Sequence, residues 1–529
     1  MFRYFLKKLR FWAVIRSKMG QKSDHDPGSL TVWSQDLQDN LQTIQTLLHN
    51  SADLITREFS FGNHSQVQAA VIFVDGLVNK IVINESIVKP LLFDTHLIES
   101  QVLRESDLEY VRRSLLAVGD VSEKTGFHEL IASLLFGNVI FLLDGSGSFL
   151  VIDAKGWQTR GIEEPRVEQT VRGPREGFTE TLRTNTSMLR RKIHNPNLVF
   201  EQMVIGKRTH TLVCLAYVKG VAPPALVEEV KRRLNLITID DILESGYIEE
   251  LIEDSPFSPF ATVGNSEKPD RVAARILEGR VAILVDGTPF VLTVPSLFIE
   301  GFQAAEDYYS RPYYASFVRL TRFIGFAITL LAPGIYVALE SFHPELLPTP
   351  LVITMASAVE GTPFPAVVEA LLMITIFELL REGGIRLPAT IGPALSIVGA
   401  LIMGDAAVKA GLIGAPMVIV VAITALSSFL VVPHTDAITL LRFGLTIMAG
   451  FLGIYGVGVG LIAILVHLCS LRSFGLSYLA PVVPLSWPQL KDAFIRAPLR
   501  SLINRRPAIR ALDPERESFR LDLKKPNND

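Results

Sequence analysis

Cysteine is nearly absent: Cys214 and Cys469 are the only two in 529 residues. Two thiols cannot build a disulfide framework. One lies in an apolar strand-like run and the other borders an apolar segment, so no disulfide between them is expected, and the usage fits a reducing compartment. The ten histidines are scattered, so a metal site is improbable. No GxGxxG follows a strand, and no GxxxxGK[ST] loop, HExxH or CxxC occurs. "DGSGS" at 144–148 lacks the lysine of a phosphate loop and reads as a turn. No catalytic, cofactor-binding or metal-binding residue is assigned, no cofactor is expected, and the chain reads as a non-enzyme with no nucleic-acid partner.

A signal-peptide core is missing too. In "MFRYFLKKLRFWAVIRSKMG" the longest uncharged run, Phe11 to Ile15, is far too short. Residues 1–22 carry seven Lys or Arg and no acid. The segment 1–34 is expected to be a basic cytoplasmic arm, either solvated or lying on anionic lipid, where each cation contributes roughly 1 kcal/mol.

Charge is scarce only locally. It makes up 20% of the chain against 49% hydrophobic residues, but nearly all of it lies before Arg322 or after His467. The expected organisation is an α/β cytoplasmic N-terminal region of two subdomains (35–160 and 161–312), then an α-helical multispan membrane domain (313–470) and a basic cytoplasmic tail (471–529). In the first part "NVIFLLDGSGSFLVIDAKG" at 138–156 and "RVAILVDGTPFVLTVPSL" at 280–297 both read as strand, Asp-Gly turn, strand. The echo is either a distant repeat or coincidence, since Asp-Gly is a common hairpin signal. Asp144 and Asp286 read as turn residues, because no paired carboxylate or histidine accompanies them.

A spanning helix needs roughly 20 apolar residues. Spans are expected at 323–340, 363–381, 410–433 and 443–467, with short membrane segments at 346–360 and 387–404. Arg319 and Arg322 place the start of the first span inside, the loop 341–362 has no Lys or Arg, and Arg381 and Arg386 return the chain inside. The tail carries Lys491, Arg496, Arg500, Arg505, Arg506 and Arg510, so four crossings satisfy the charge rule and five do not. If helical, 387–404 puts Gly392, Ser396, Gly399 and Met403 on one face, either for close helix packing or as the lining of a pore in an oligomer.

Two carboxylates interrupt "PFPAVVEALLMITIFELLREGGIRLP" at 363–388. Glu369 and Glu378 are nine residues apart, about 900° of helical rotation, and so face opposite sides. Glu378 is expected to pair with Arg381 at i,i+3. Glu369 lies deeper and is a candidate functional intramembrane carboxylate, because a buried charge there must be sheltered by protein or water.

Four longer stretches carry a resemblance: "RGPREGFTE" at 172–180, "VDGTPFVLTVPSLFIEGFQAAEDYY" at 285–309, "FELLREGGIRLPATIGPALSIVGALIMGDAAVKAGLIGAPMVIVVAITALSSF" at 377–429 and "LRSFGLSYLAPVVPL" at 471–485. Together they closely resemble the A subunits of spore germinant receptors, the GerA family of endospore-forming bacteria. Gly383 stands where the family pattern has alanine. The resemblance implies a multi-pass protein of the spore inner membrane. It implies a complex with a transporter-like B subunit and a lipoprotein C subunit, and a homo-oligomeric ring acting as a ligand-gated cation channel that triggers germination. The alternatives are a non-conducting scaffold or signalling subunit and a secondary transporter of the germinant.

Overall fold

The computed structural model describes residues 33–61, 67–93, 108–156, 168, 170, 172–386, 404, 406–486, 490, 492–498 and 512–513. The chain divides into two compact units, 1–157 and 158–529.

The first unit begins with α1 (Leu37–Leu47). Its start is fixed by Asp36, whose carboxylate accepts the backbone N–H groups of Gln38 and Asp39, as a helix N-cap requires. Leu37, Leu41 and Ile44 form its buried stripe. Then come β1 (Leu54–Phe61), β2 (Val67–Val74), β3 (Val121–Lys124), α2 (Phe127–Leu135), β4 (Val139–Leu143) and β5 (Phe149–Ile152). The sheet order is β1-β2-β4-β5-β3, antiparallel throughout. Every residue of β4 and β5 is buried, so both faces are covered. Ile140 and Leu142 meet α1 and α2 on one face, while Val139 and Phe141 meet Ile83, Ile87 and Val111 on the other, the alternation a strand imposes.

The second unit repeats the plan with α3 (Leu182–Lys192), β6 (Leu198–Ile205), β7 (Thr211–Val218), α4 (Pro224–Asn235), α5 (Ser245–Ile252), β8 (Gly264–Ser266), α6 (Pro269–Leu277), β9 (Val281–Val285) and β10 (Val291–Val294). Its order, β6-β7-β9-β10-β8, matches the first sheet strand for strand. The two aspartates of the Asp-Gly turns also match. Asp144 accepts the N–H of Leu37, and Asp286 that of Leu182, both at 3.0 Å. Each turn thus holds the first residue of its unit's leading helix, and the echo between the hairpins is a repeated topology.

From this sheet a 3-10 turn (Phe298–Phe302) and α7 (Glu306–Tyr309) lead into α8 (Pro312–Ser341). The helices α9 (Thr349–Val359), α10 (Ala366–Arg386), α11 (Ala415–Ser428) and α12 (Thr435–Ser470) follow. Among the described residues two helices are long and apolar enough to cross a membrane: α8, with mean hydropathy 1.8, and the stretch Val432–Ser470, with 2.3. α9 and α11 are apolar but have 11 and 14 residues, about 17 and 21 Å against a hydrocarbon core of about 30 Å. α10 has the length, 21 residues, but carries Glu369, Glu378, Arg381, Glu382 and Arg386. α12 is kinked at Gly453, with φ +60°. A Cβ there would come within 2.9 Å of Phe342 and His343, so the chain passes this point only because the side chain is missing.

Candidate functional site

α10 buries Ala366, Glu369, Ala370, Met373 and Ile374, an i, i+3, i+4 stripe that carries a carboxylate into the helix packing. Glu369 is 1% exposed. One of its oxygens accepts the N–H of Gly414, the residue that caps the start of α11, at 3.2 Å. The free N–H groups and partial positive charge of a helix start suit a carboxylate. Glu378, two and a half turns on, goes elsewhere. It lies 2.6 Å from Arg381 and accepts a further hydrogen bond from Arg442 of α12, which is 1% exposed. The two carboxylates therefore serve different helices. The positions Gly392, Ser396, Gly399 and Met403 lie outside the described residues.

A second polar constellation joins the sheet to the helices. Arg319, in the second turn of α8, is fully buried. Its guanidinium donates to Asp307 of α7 at 3.1 Å and to the backbone carbonyl of Asp492 at 2.7 Å. Arg322 reaches the same Asp307 at 2.9 Å and the carbonyl of Phe302 at 3.0 Å. Tyr308 donates to the Asp492 carboxylate at 2.6 Å. Two arginines, one aspartate and a piece of the tail thus fix the angle at which the chain enters α8. Leaving one such buried partner unpaired is expensive.

Beside it, His434 at the head of α12 is stacked on Phe298, with centroids 4.7 Å apart, and hydrogen-bonds the Phe298 carbonyl at 3.0 Å. Gly301 makes room for it: a Cβ there would stand 2.1 Å from the imidazole. The segment after α12 returns to the sheet. Ser473 accepts from the Ser296 N–H at 3.0 Å and donates to the Thr262 carbonyl at 2.6 Å. Further back, the Arg280 guanidinium pairs with Glu300 inside the protein. This arrangement ties the sheet to two long helices. Among the described residues it brings together no group of three or more metal-ligating side chains.

The motifs "VPSLFIEGF" and "LRSFGLSYLAP" gain a physical meaning here, since they are the two surfaces of one junction. Asp307, Asp492, Arg442 and His434 were not singled out from sequence, and Arg319 only as a charge at the start of a span. The available signal was a lone cation or histidine inside an otherwise apolar run, as in "TLLRFGLTI". The partner of Arg442 lies 64 positions away, and Arg319 joins Asp307, 12 positions back, to Asp492, 173 positions on, and no spacing rule links them.

Residues 42–509 match the family described as Bacillus/Clostridium GerA spore germination protein. The chain is 45% identical over 467 residues to spore germination protein KA of Bacillus subtilis (strain 168), covering 88% of this chain and 85% of that one. It is 42% identical to the uncharacterized membrane protein YfkQ of the same organism, over 89% of this chain and 91% of that one. Against the crystal structure of the N-terminal domain of the A subunit of the Bacillus megaterium spore germinant receptor GerK3, the identity is 36% and the TM-score 0.41, over 51% of this chain and 98% of that one.

Proposed function

The chain belongs to the GerA family of spore germination proteins, and from that premise we propose that it is the A subunit of a nutrient germinant receptor held in the spore inner membrane. In this reading it works with a transporter-like B subunit and a lipoprotein C subunit. It assembles into a ring whose membrane domain passes cations once the germinant binds. Residues 35–312 stand in the cytoplasm, four segments cross near 323–340, 363–381, 410–433 and 443–467, and the tail returns to the cytoplasm.

The observation that carries the membrane reading is the outward apolar surface of the long helices. Phe451, Tyr455, Ile462 and Val466 of α12 are each more than 60% exposed, a surface suited to lipid and not to water. Support for gating comes from the buried junction. A germinant shifts the equilibrium only by its differential affinity for the open and closed states. The Arg319–Asp307–Asp492 cluster is where such a shift would pass from sheet to helices. The test is nutrient-triggered cation current across a planar bilayer holding the complete receptor. Absence of current, with nutrient binding intact, would point to the scaffold instead.

A further inference from the structure

We propose that residues 435–470 are a helical hairpin that crosses the bilayer twice, and that its tip, with Phe451, Leu452 and Tyr455, docks in the lipid interface farthest from the second sheet. The depth of the tip rests on the membrane reading above; the reversal of the chain does not.

The two ends of α12 lie in the same place. His434, just before its first residue, and His467, in its last turn, both pack on Phe260, with ring centroids 6.4 and 6.3 Å from it. They are hydrogen-bonded to the Phe298 carbonyl and the Ser258 hydroxyl, at 3.0 and 2.9 Å. An unbroken helix would hold the two histidines about 50 Å apart. The chain instead reverses at Gly453, whose φ of +60° and ψ of −141° are not helical. Contacts pair residues across that point. A Cβ on Gly456 would run into the Met448 carbonyl, and one on Gly460 into the Leu445 side chain. Ala437 and Leu468 share one buried cluster at the open end.

The legs, 435–452 and 454–470, are about 27 and 26 Å long, close to a hydrocarbon core of about 30 Å. α8 marks the same depth. It begins at the junction with the sheet, and Phe342 and His343 at its far end lie against Gly453, 2.9 Å from where a Cβ would stand. Arg442 is the only charged residue between Ala437 and Val466, and it is buried against Glu378. The exposed surface of the legs is apolar, with Leu440, Ile447, Ile462 and Val466. At the tip it continues into Phe451, 78% exposed, and Tyr455, 77% exposed. Aromatic rings, and tyrosine with its wet hydroxyl, suit the boundary of acyl chains and headgroups. Both ends of the hairpin then lie on the side of the second sheet. The single crossing near 443–467 becomes two, and an even number of crossings precedes His434 in place of the three proposed above.

Two measurements on the full-length chain in lipid nanodiscs test this, with Cys214→Ser removing the buried thiol. The first is the distance between nitroxides on Asp436→Cys and on Cys469, both exposed, by double electron–electron resonance. A distance below about 25 Å is expected, and one near 50 Å overturns the reversal. The second is quenching of a bimane on Tyr455→Cys, in a Cys469→Ser background, by lipids carrying a nitroxide either at the headgroup or at the end of an acyl chain. The headgroup quencher should act about twofold more strongly or better. Stronger quenching from the acyl end would leave the tip in the middle of the bilayer and overturn the double crossing. No quenching by either lipid would mean that water or a second copy covers the tip, and the lipid seat falls. A bimane on Ile462→Cys separates this from the membrane reading. If it too escapes both quenchers while the nitroxide distance stays short, the hairpin stands and the membrane reading fails.

Discussion

At the end of α2 in the first sheet unit, the N–H of Asn138 donates to the carbonyl of Ser133 at 3.1 Å. At the end of α6 in the second, the N–H of Arg280 donates to the carbonyl of Arg275 at 3.3 Å. The backbones are equivalent and the side chains are not. Ser133 and Asn138 are small and neutral. Arg275 and Arg280 are long, charged and buried, and Arg280 pairs with Glu300 on the turn that leads to α8. Among the described residues one copy of the topology forms without a buried cation, while the other buries Arg190 and Lys268 as well as Arg275 and Arg280. A buried ion pair is no gain in stability over a well-packed apolar contact. The pair is better explained by what it positions, which is the exit from the second sheet toward the helices.

The largest effect is expected from removing that exit contact. Glu300→Ala strands a buried guanidinium and should cost about 3–5 kcal/mol, read as a lower unfolding midpoint of the full chain in detergent. The sharper experiment writes the first sheet's residues into the second, as Arg275→Ser and Arg280→Asn together with Glu300→Gln. Hydrogen exchange should then show β9 and β10 still protected while 298–309 exchanges faster. If β9 and β10 lose protection as well, the arginines belong to the fold and the comparison is broken.

A second difference is electrostatic. Glu249 of α5 is pushed up to about 7, first by burial and then by the neighbouring carboxylate of Glu253, with Glu244 and Asp436 adding to it and Asn265 opposing. An acid with a raised folded pKa binds more protons folded than unfolded between about 4.5 and 7, so stability falls as pH rises through that window. Below the window the penalty is absent, and above it the penalty is complete, on the order of 3 kcal/mol. Glu249→Gln should therefore stabilise the protein above pH 7 and leave it unchanged below pH 4.5. Unfolding midpoints across that range test this, and parallel curves for the two proteins would refute it.

Next in size is the seat of His434. Gly301→Ala puts a methyl group into the imidazole, and overpacking of this kind costs about 1–3 kcal/mol. His434→Ala in the same chain should recover part of the loss, a coupling that a double-mutant cycle measures. If the two losses simply add, the contact between the turn and α12 is not what Gly301 protects.

These contacts also show where sequence reasoning runs out. The hairpins, the Asp-Gly turns and the long apolar helices were readable because each is set by neighbours within a few positions. So was the nearness of Glu378 to Arg381, one helical turn apart. The second partner of Glu378, Arg442, was not readable, because only tertiary packing brings α12 beside α10. Likewise Glu369 stood out as an isolated acid, but the N–H it accepts, that of Gly414, lies 45 positions on at the start of another helix. Composition marks the buried polar residue; the fold alone names what it faces.

The smallest effect tests the repeat itself. Asp144 and Asp286 make the same 3.0 Å contact with the first residue of a helix, yet the helices differ in what else they have. α1 keeps a local cap in Asp36, while α3 follows Thr181, whose side chain makes no capping bond. Loss of a capping acceptor costs about 0.5–2 kcal/mol. Asp144→Ala should fall near the low end, because Asp36 still satisfies N–H groups of α1. Asp286→Ala should fall near the high end, because the N–H of Leu182 is left without a substitute. Asparagine at either position keeps the accepting oxygen and should restore most of the loss. Local hydrogen exchange of α1 and α3 in the full chain separates the two. Equal losses would mean that Asp36 adds nothing to α1, and the remote aspartate would then be the cap that both copies depend on.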